Sequence, residues 1–186
     1  MRLFLPVTLI LISGVANAIT IDLASLPEGN IETASFFVGD YRFEQTGFLA
    51  IPEYNQSTWG QYSGTLSWAE GYGSVVLTVS DGSLFNFHSV VLGPGNPGDP
   101  YTATMTIVGH LDDGSVVYSE SLSTLTSIEL DSSWVNLSSV EFIVGTGAPF
   151  GSLTNIVVSQ VPIPAALWLF GSALAGLGWL QRKQAT

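Results

Sequence analysis

Phe85-Asn86-Phe87-His88-Ser89-Val90-Val91-Leu92 places two rings on one side of an extended chain and polar groups on the other, then runs into β-branched residues. Alternation with period two is the signature of a half-buried strand. The same reading extends outward. In Thr102-Ala103-Thr104-Met105-Thr106-Ile107 the threonines take one face and Ala103, Met105 and Ile107 the other, and Val140-Glu141-Phe142-Ile143-Val144 and Leu153-Thr154-Asn155-Ile156-Val157-Val158 behave alike. Asp81-Gly82, Asp113-Gly114 and the glycine- and proline-rich stretch 93–100 punctuate these runs. The sharpest hairpin is expected around Leu111-Asp112-Asp113-Gly114-Ser115-Val116-Val117-Tyr118, because Asp-Gly tolerates the positive φ of a tight turn. Residues 19–160 show no helical period, no heptads and no repeat. Roughly eight to ten short strands at this spacing predict an all-β fold, a single antiparallel β-sandwich of jelly-roll type.

Composition narrows the function. The chain has 186 residues, 20 glycines and no cysteine, with four bases against fifteen acids. Without cysteine there is no disulfide framework, no thiol nucleophile and no thiolate zinc site. The bases are Arg2, Arg42, Arg182 and Lys183, so residues 19–160 hold one base and all fifteen acids, a formal charge of −14. That body has no basic patch with which to hold nucleic acid.

The ends differ from the body. Met1-Arg2 is followed by the apolar stretch Leu3–Ile12 and then Ala16-Asn17-Ala18, the pattern of a secretory signal peptide over 1–18 with Ala16 and Ala18 as the small cleavage-site residues. At the other end Val161–Leu180 contains no ionisable residue and leads into Gln181-Arg182-Lys183. Pro162 and Pro164 can open a helix but not continue one, so a transmembrane helix is expected over 165–180. Arg182 and Lys183 place its C-terminal end in the cytoplasm and the acidic body outside. Three segments follow: a signal peptide 1–18, an extracytoplasmic sandwich 19–160 and a tail 161–186.

Val161-Pro162-Ile163-Pro164-Ala165, the glycine-spaced apolar stretch after it, and Arg182-Lys183 together resemble a PEP-CTERM sorting signal in its VPxPA form. Ile163 stands where the PEP form has glutamate. The resemblance implies a substrate of exosortase, a membrane protease of Gram-negative bacteria that make exopolysaccharide. It also implies passage through the inner membrane to the cell surface or the extracellular biofilm matrix. Phe87-His88-Ser89-Val90, Met105–His110, Ser132–Phe142 and Leu153–Val158 are similar to the jelly-roll domain of many PEP-CTERM proteins, itself similar to galactose-binding-like sandwiches. In that domain the last strand carries an Asp-Asn-Ile step, where this chain has Thr154-Asn155-Ile156.

Chemistry inside the body is sparse. His88 and His110 are the only bases available to a serine nucleophile, and no nucleophile-elbow or HExxH spacing is present. Strand parity predicts both histidines exposed to solvent. Asp112 and Asp113 are turn residues, while Glu129 and Asp131 read as same-side carboxylates on a strand, a pairing of the kind glycoside hydrolysis uses. No catalytic residue and no metal site is assigned. No cofactor is expected, with calcium at the loop acids Asp99, Asp112 and Asp113 as the alternative, since no DxDxDG spacing occurs. Sugar contact is the sharper expectation. Trp59, Trp68 and Trp134 join Tyr54, Tyr62 and Tyr72, and the stretch Tyr54-Asn55-Gln56-Ser57-Thr58-Trp59-Gly60-Gln61-Tyr62 sets flat rings beside amides. Tyr54, Trp59 and Tyr62 are the candidate contacts for a pyranose; Trp134 suits a packed strand.

The sequence thus points to an exported, non-enzymatic surface or matrix protein, structural or adhesive and associated with exopolysaccharide or biofilm, with polysaccharide as its candidate ligand. Its partners are signal peptidase, an exosortase-like protease, the inner membrane in transit and matrix polysaccharide. The alternatives are a small carbohydrate-active enzyme or lectin on the same sandwich, or a simple C-terminally anchored periplasmic protein.

Overall fold

The computed structural model describes residues 17–23, 29–30, 35–46, 53–54, 66–69, 73–94, 104–122, 126–145 and 150–161. Residues Asn17–Val161 form one compact unit. Its strands are β1 (Ala18–Ile21), β2 (Gly29–Asn30), β3 (Ser35–Val38), β4 (Tyr41–Gln45), β5 (Glu53–Tyr54), β6 (Leu66–Ala69) and β7 (Ser74–Val79). They continue as β8 (Phe85–Pro94), β9 (Thr104–Leu111), β10 (Val116–Leu122), β11 (Thr126–Glu129), β12 (Leu137–Val144) and β13 (Phe150–Gln160). The alternating stretches fall on β8, β9, β12 and β13, and β8 runs two residues into the segment read as a loop, to Pro94.

Every pairing among these strands is antiparallel, and the pairings separate into two halves of one curled sheet. The first half runs β3-β4-β7-β12-β9-β10. In the second, β13 lies between β8 on one side and β6 and β1 on the other, with β11 beyond β8 and β5 and β2 beyond β6. Among the described residues the halves join through the single bridge Leu137↔Phe85.

Alternation decides which faces meet. Phe43, Val75, Leu77, Ile107, Val140 and Phe142 point inward from the first half, and Phe85, Phe87, Val90, Leu92, Leu153, Ile156 and Val158 from the second, all in one buried cluster. Phe87 meets Phe142 edge-on with centroids 5.9 Å apart, and Tyr41 meets Phe85 at 6.3 Å. The two halves are therefore packed face to face. A fully buried Phe of this kind contributes roughly 1.5–3 kcal/mol of transfer free energy. Tyr41 carries a cost as well: its buried hydroxyl has no hydrogen-bond partner among the described residues. Burial raises its pKa above the usual phenol value, and the charge of Asp40 adds to the effect.

Local chemistry fixes the turns. Gly39 has φ 58° between β3 and β4, the glycine-first pattern of a II′ hairpin. In the β9–β10 turn Gly114 has φ 83°, and the Asp113 carboxylate accepts from Ser115 N and Oγ at 2.9 and 2.6 Å. Asp81 accepts from Ser83 N at 2.8 Å in the same way. Asp131, expected on a strand beside Glu129, instead sits in a third such turn and accepts from Ser133 N at 2.8 Å. Its carboxylate is spent on the backbone rather than paired with Glu129, which ends β11. That turn delivers Trp134 into the core at 3% exposure, where its indole lies 5.9 Å from the Phe87 ring and against Gly109. A Cβ on Gly109 would come within 2.7 Å of Val117 and 2.9 Å of Trp134, so glycine is what admits the indole.

β13 is bulged at the Thr154-Asn155-Ile156 step. The register moves from Thr154↔Val91 to Val157↔Ser89, one extra residue on β13, and then to Val158↔Phe87, which leaves His88 as the extra residue on β8. Asn155 takes φ 48° there and is exposed. Asparagine tolerates this left-handed backbone better than other side-chain-bearing residues.

Candidate functional site

The outward side of the first half is the broadest polar face among the described residues, and the register builds it row by row. One row runs Ser35, Glu44, Val76, Glu141, Val108, Tyr118. On one side of it Phe37 stands opposite Arg42, Arg42 opposite Thr78, and His110 opposite both Ser139 and Val116. On the other side Ser74 stands opposite Ile143, with Thr46 donating its N–H to Ser74 O at 3.0 Å. Rings mark the two margins: Tyr118 on β10 is 66% exposed and Phe37 on β3 is 57% exposed.

The centre of the face is a hydrogen-bonded cluster. Ser74 Oγ donates to Glu141 Oε1, and Thr46 Oγ1 shares a 2.5 Å hydrogen bond with Ser74 Oγ. His110 Nε2 lies 3.5 Å from Glu141 Oε2, an ion pair when the imidazole is protonated. Thr46, Gly73, Ser74, Glu141, Ile143 and Val144 line an open cleft of about 360 Å³. Arg42, the only base of residues 19–160, is held by Glu44 at 3.1 Å on the same face.

This order of groups does not make a nucleophile. A serine triad needs the imidazole between hydroxyl and carboxylate; here the Glu141 carboxylate stands between Ser74 and His110. The other histidine does touch a serine: His88 Nε2 is 2.9 Å from Ser159 Oγ, which also receives the Asn86 amide at 3.2 Å. Ser159 is only 3% exposed, so its hydroxyl is enclosed by its own partners. Asn86 Oδ1 in turn accepts from Asn136 N at 3.1 Å, where Asn136 takes φ 56°. Both histidines, expected as solvated surface groups, are half-buried and partnered. Parity sets His110 on the outward face it occupies but does not show the partners: Ser159 on β13 beside His88, the extra residue of β8, and Glu141 on β12 beside His110. Among the described residues no three His, Asp or Glu side chains gather to hold a metal ion.

The other sequence candidates are placed as follows. Tyr54 lies on β5 opposite Gly29. Trp59 and Tyr62, and the calcium alternative's Asp99, lie outside the described residues; Asp112 and Asp113 occupy the β9–β10 turn. Ala18 opens β1 opposite Ser159, and Ala16 lies outside. Val161 closes the described chain, its N–H bonded to Leu84 O at 3.1 Å, whereas Pro162, Ile163, Pro164, Ala165, Arg182 and Lys183 lie outside it. The expected transmembrane helix 165–180 also lies outside. Of the proposed sugar contacts only Tyr54 lies among the described residues, and the face built there is one the linear sequence did not single out.

No protein-family model matches the chain, and no curated protein matches it. Among solved structures it is similar to variants of a family 29 carbohydrate-binding module. One matches at TM-score 0.44 and 15% identity over 76% of this chain and 91% of that one. A second, complexed with cellulohexaose, matches at TM-score 0.44 and 15% identity over 77% and 91%. A third, complexed with mannohexaose, matches at TM-score 0.40 and 14% identity over 79% and 93%. At these scores the likeness assigns neither a ligand nor a binding residue to this chain.

Proposed function

We propose that the chain is an exported, non-enzymatic surface or matrix protein of a Gram-negative bacterium, built as a jelly-roll-like sandwich associated with polysaccharide. In this reading a signal peptide over 1–18 directs export. The tail 161–186 halts the chain in the inner membrane with Arg182 and Lys183 in the cytoplasm, until an exosortase-like protease cuts near Val161-Pro162-Ile163-Pro164.

The observation that carries the reading is the tripartite tail, and the fold supports it by where the body closes. The first strand, β1, pairs with the last, β13, through Ala18↔Ser159 to Ile21↔Ile156, and β13 ends at Gln160. A cut after Val161 leaves all the described strands intact, which suits release of a folded body. A C-terminal segment that formed part of the sheet could not be trimmed without opening it.

Intact mass of the product recovered from the host's surface and medium tests this. The expected product begins at Ile19 and ends between Val161 and Pro164. A product that retains Trp179 and Arg182 overturns the processing step.

A further inference from the structure

We propose that the outward face of β3-β4-β7-β12-β9-β10 is a binding platform for a neutral polysaccharide chain. The chain would lie across the strands from Tyr118 on β10, over the Ser74–Glu141–His110 centre, to Phe37 on β3. The proposal rests on the polysaccharide-association reading above and gives that reading a site and a ligand class.

Shape comes first. Six strands make five steps of about 4.8 Å, so the face is about 24 Å wide. That is enough for several sugar rings and far too extended for one small molecule. Ends and centre then differ in chemistry. Tyr118 and Phe37 present ring faces to solvent at opposite margins, and a ring face packs on the axial C–H groups of a pyranose. Between them the face offers hydroxyl and carboxylate groups in a cleft. Glu141 uses one oxygen on Ser74 and the other towards His110, and each oxygen keeps a lone pair for a sugar hydroxyl. Hydrogen bonds to an ionised acceptor are the stronger kind.

Charge excludes other occupants. Glu44 and Glu141 stand in one row, Arg42 is already held by Glu44, and the body carries −14. An anionic polysaccharide or a nucleic acid would meet repulsion and no free base. A second copy would bring the same acids against themselves. The exposed apolar groups form two separate spots, Tyr118 with Val116 on β10 and Phe37 five strands away on β3, rather than one contiguous patch of the kind that marks a protein interface. A neutral, hydroxyl-rich chain is the occupant this arrangement fits.

Affinity electrophoresis of the full chain in mild detergent tests it, with hydroxyethylcellulose and galactomannan as neutral probes and alginate as the anionic one. At least one neutral polymer retards the protein and alginate does not. Tyr118→Ala and Phe37→Ala each weaken retardation about tenfold, as truncation of an anchoring ring does. Because both side chains are more than half exposed, circular dichroism and melting stay at wild type.

Retardation unchanged in both variants but lost in Trp59→Ala moves the site to the 54–62 stretch. That result overturns the platform and leaves polysaccharide association standing. Stronger retardation by alginate overturns the neutral ligand class. Self-association by sedimentation that Tyr118→Ala abolishes makes the face a contact between copies and also overturns the proposal. No retardation by any polymer overturns both the platform and the association. The sorting step does not enter the measurement, so its failure is read separately in the mass experiment.

Discussion

Replacing Phe87 and Phe142 by leucine, singly and together, asks whether the two halves of the sheet face each other as described. Both rings are essentially fully buried and meet edge-on at 5.9 Å with an interplanar angle of 62°. Each comes from a different half, and the halves join in the ladder only at Leu137↔Phe85. A Phe-to-Leu change keeps most of the volume, so each single variant should cost up to about 1.5 kcal/mol. An edge-to-face ring pair contributes about 0.5–1.5 kcal/mol beyond the area it buries. Whichever single change is made first removes that contribution, so the double variant should fall short of the sum of the singles by that amount. Urea unfolding followed by circular dichroism and by tryptophan fluorescence reads it, since Trp134 rests on Phe87. With slopes of about 1–3 kcal/mol per molar, a 1 kcal/mol coupling displaces the double variant's midpoint by about 0.3–1 M from the additive value. Independent sites add to within about 0.3–0.5 kcal/mol. Strict additivity, with unchanged slopes, would separate the rings and refute the face-to-face packing of the halves.

Two further outcomes test the turns and the bulge. The carboxyls of Asp81, Asp113 and Asp131 are held below the usual aspartate pKa, first by the serine hydroxyl two residues on and then by its N–H. A group lowered in the folded state adds stability above its unfolded pKa of about 3.9, and that stability is lost as pH falls through the folded value. The melting-point gap between wild type and the triple Asp→Ala variant should therefore be widest between pH 5 and 7 and close below about pH 4; a gap independent of pH counts against these turn bonds. Asn155→Ala, forced into a left-handed backbone, should cost about 1–2 kcal/mol and lower the melting point by about 2–8 °C, while Asn155→Gly stays near wild type. If glycine proves as damaging as alanine, the asparagine side chain is needed for more than its backbone.

What the sequence disclosed follows from the range of the forces involved. The alternation in 85–92 and 140–144 and the turn at Asp113-Gly114 depend on neighbouring residues, and each became the strand or turn it was read as. Pairing is a different matter. Nothing local in Leu137–Val144 says that it lies between β7 and β9, or that β13 reaches back to β1 across most of the chain. The histidines' partners were hidden for the same reason: His88 sits at a register shift visible only against β13, and the Glu141 beside His110 comes from another strand. The outer face was illegible because its parts come from six strands. Phe36 and Phe37 look equivalent until the hairpin turns Phe36 onto Phe43, stacked at 5.0 Å, and leaves Phe37 beside Arg42. Asp131-Ser132-Ser133 was the one missed local signal. It repeats the aspartate-to-serine spacing of Asp81-Gly82-Ser83 and Asp113-Gly114-Ser115, and a pattern seen three times argues a turn rather than a catalytic carboxylate.

The acid excess bears on the fold's margins and on the proposed ligand alike. Among the described residues β10 pairs only with β9, and β3 only with β4, so these two strands bound the first half of the sheet. Neither strand carries the lysine or proline that commonly blocks edge-to-edge pairing, and each exposes a ring. A body charged to −14 holds copies of the chain apart by mutual repulsion. The same field leaves a neutral polymer free to approach while it turns an anionic one away. The two effects part company in salt. Screening shortens the reach of the charge from about 10 Å at 0.1 M to about 3 Å at 1 M, so the repulsion between copies weakens as ionic strength rises. A contact made through ring faces and hydroxyls to an uncharged chain keeps its strength. Solubility set by charge and the proposed recognition by stacking are thus separable, although both depend on a single base, Arg42, being already paired.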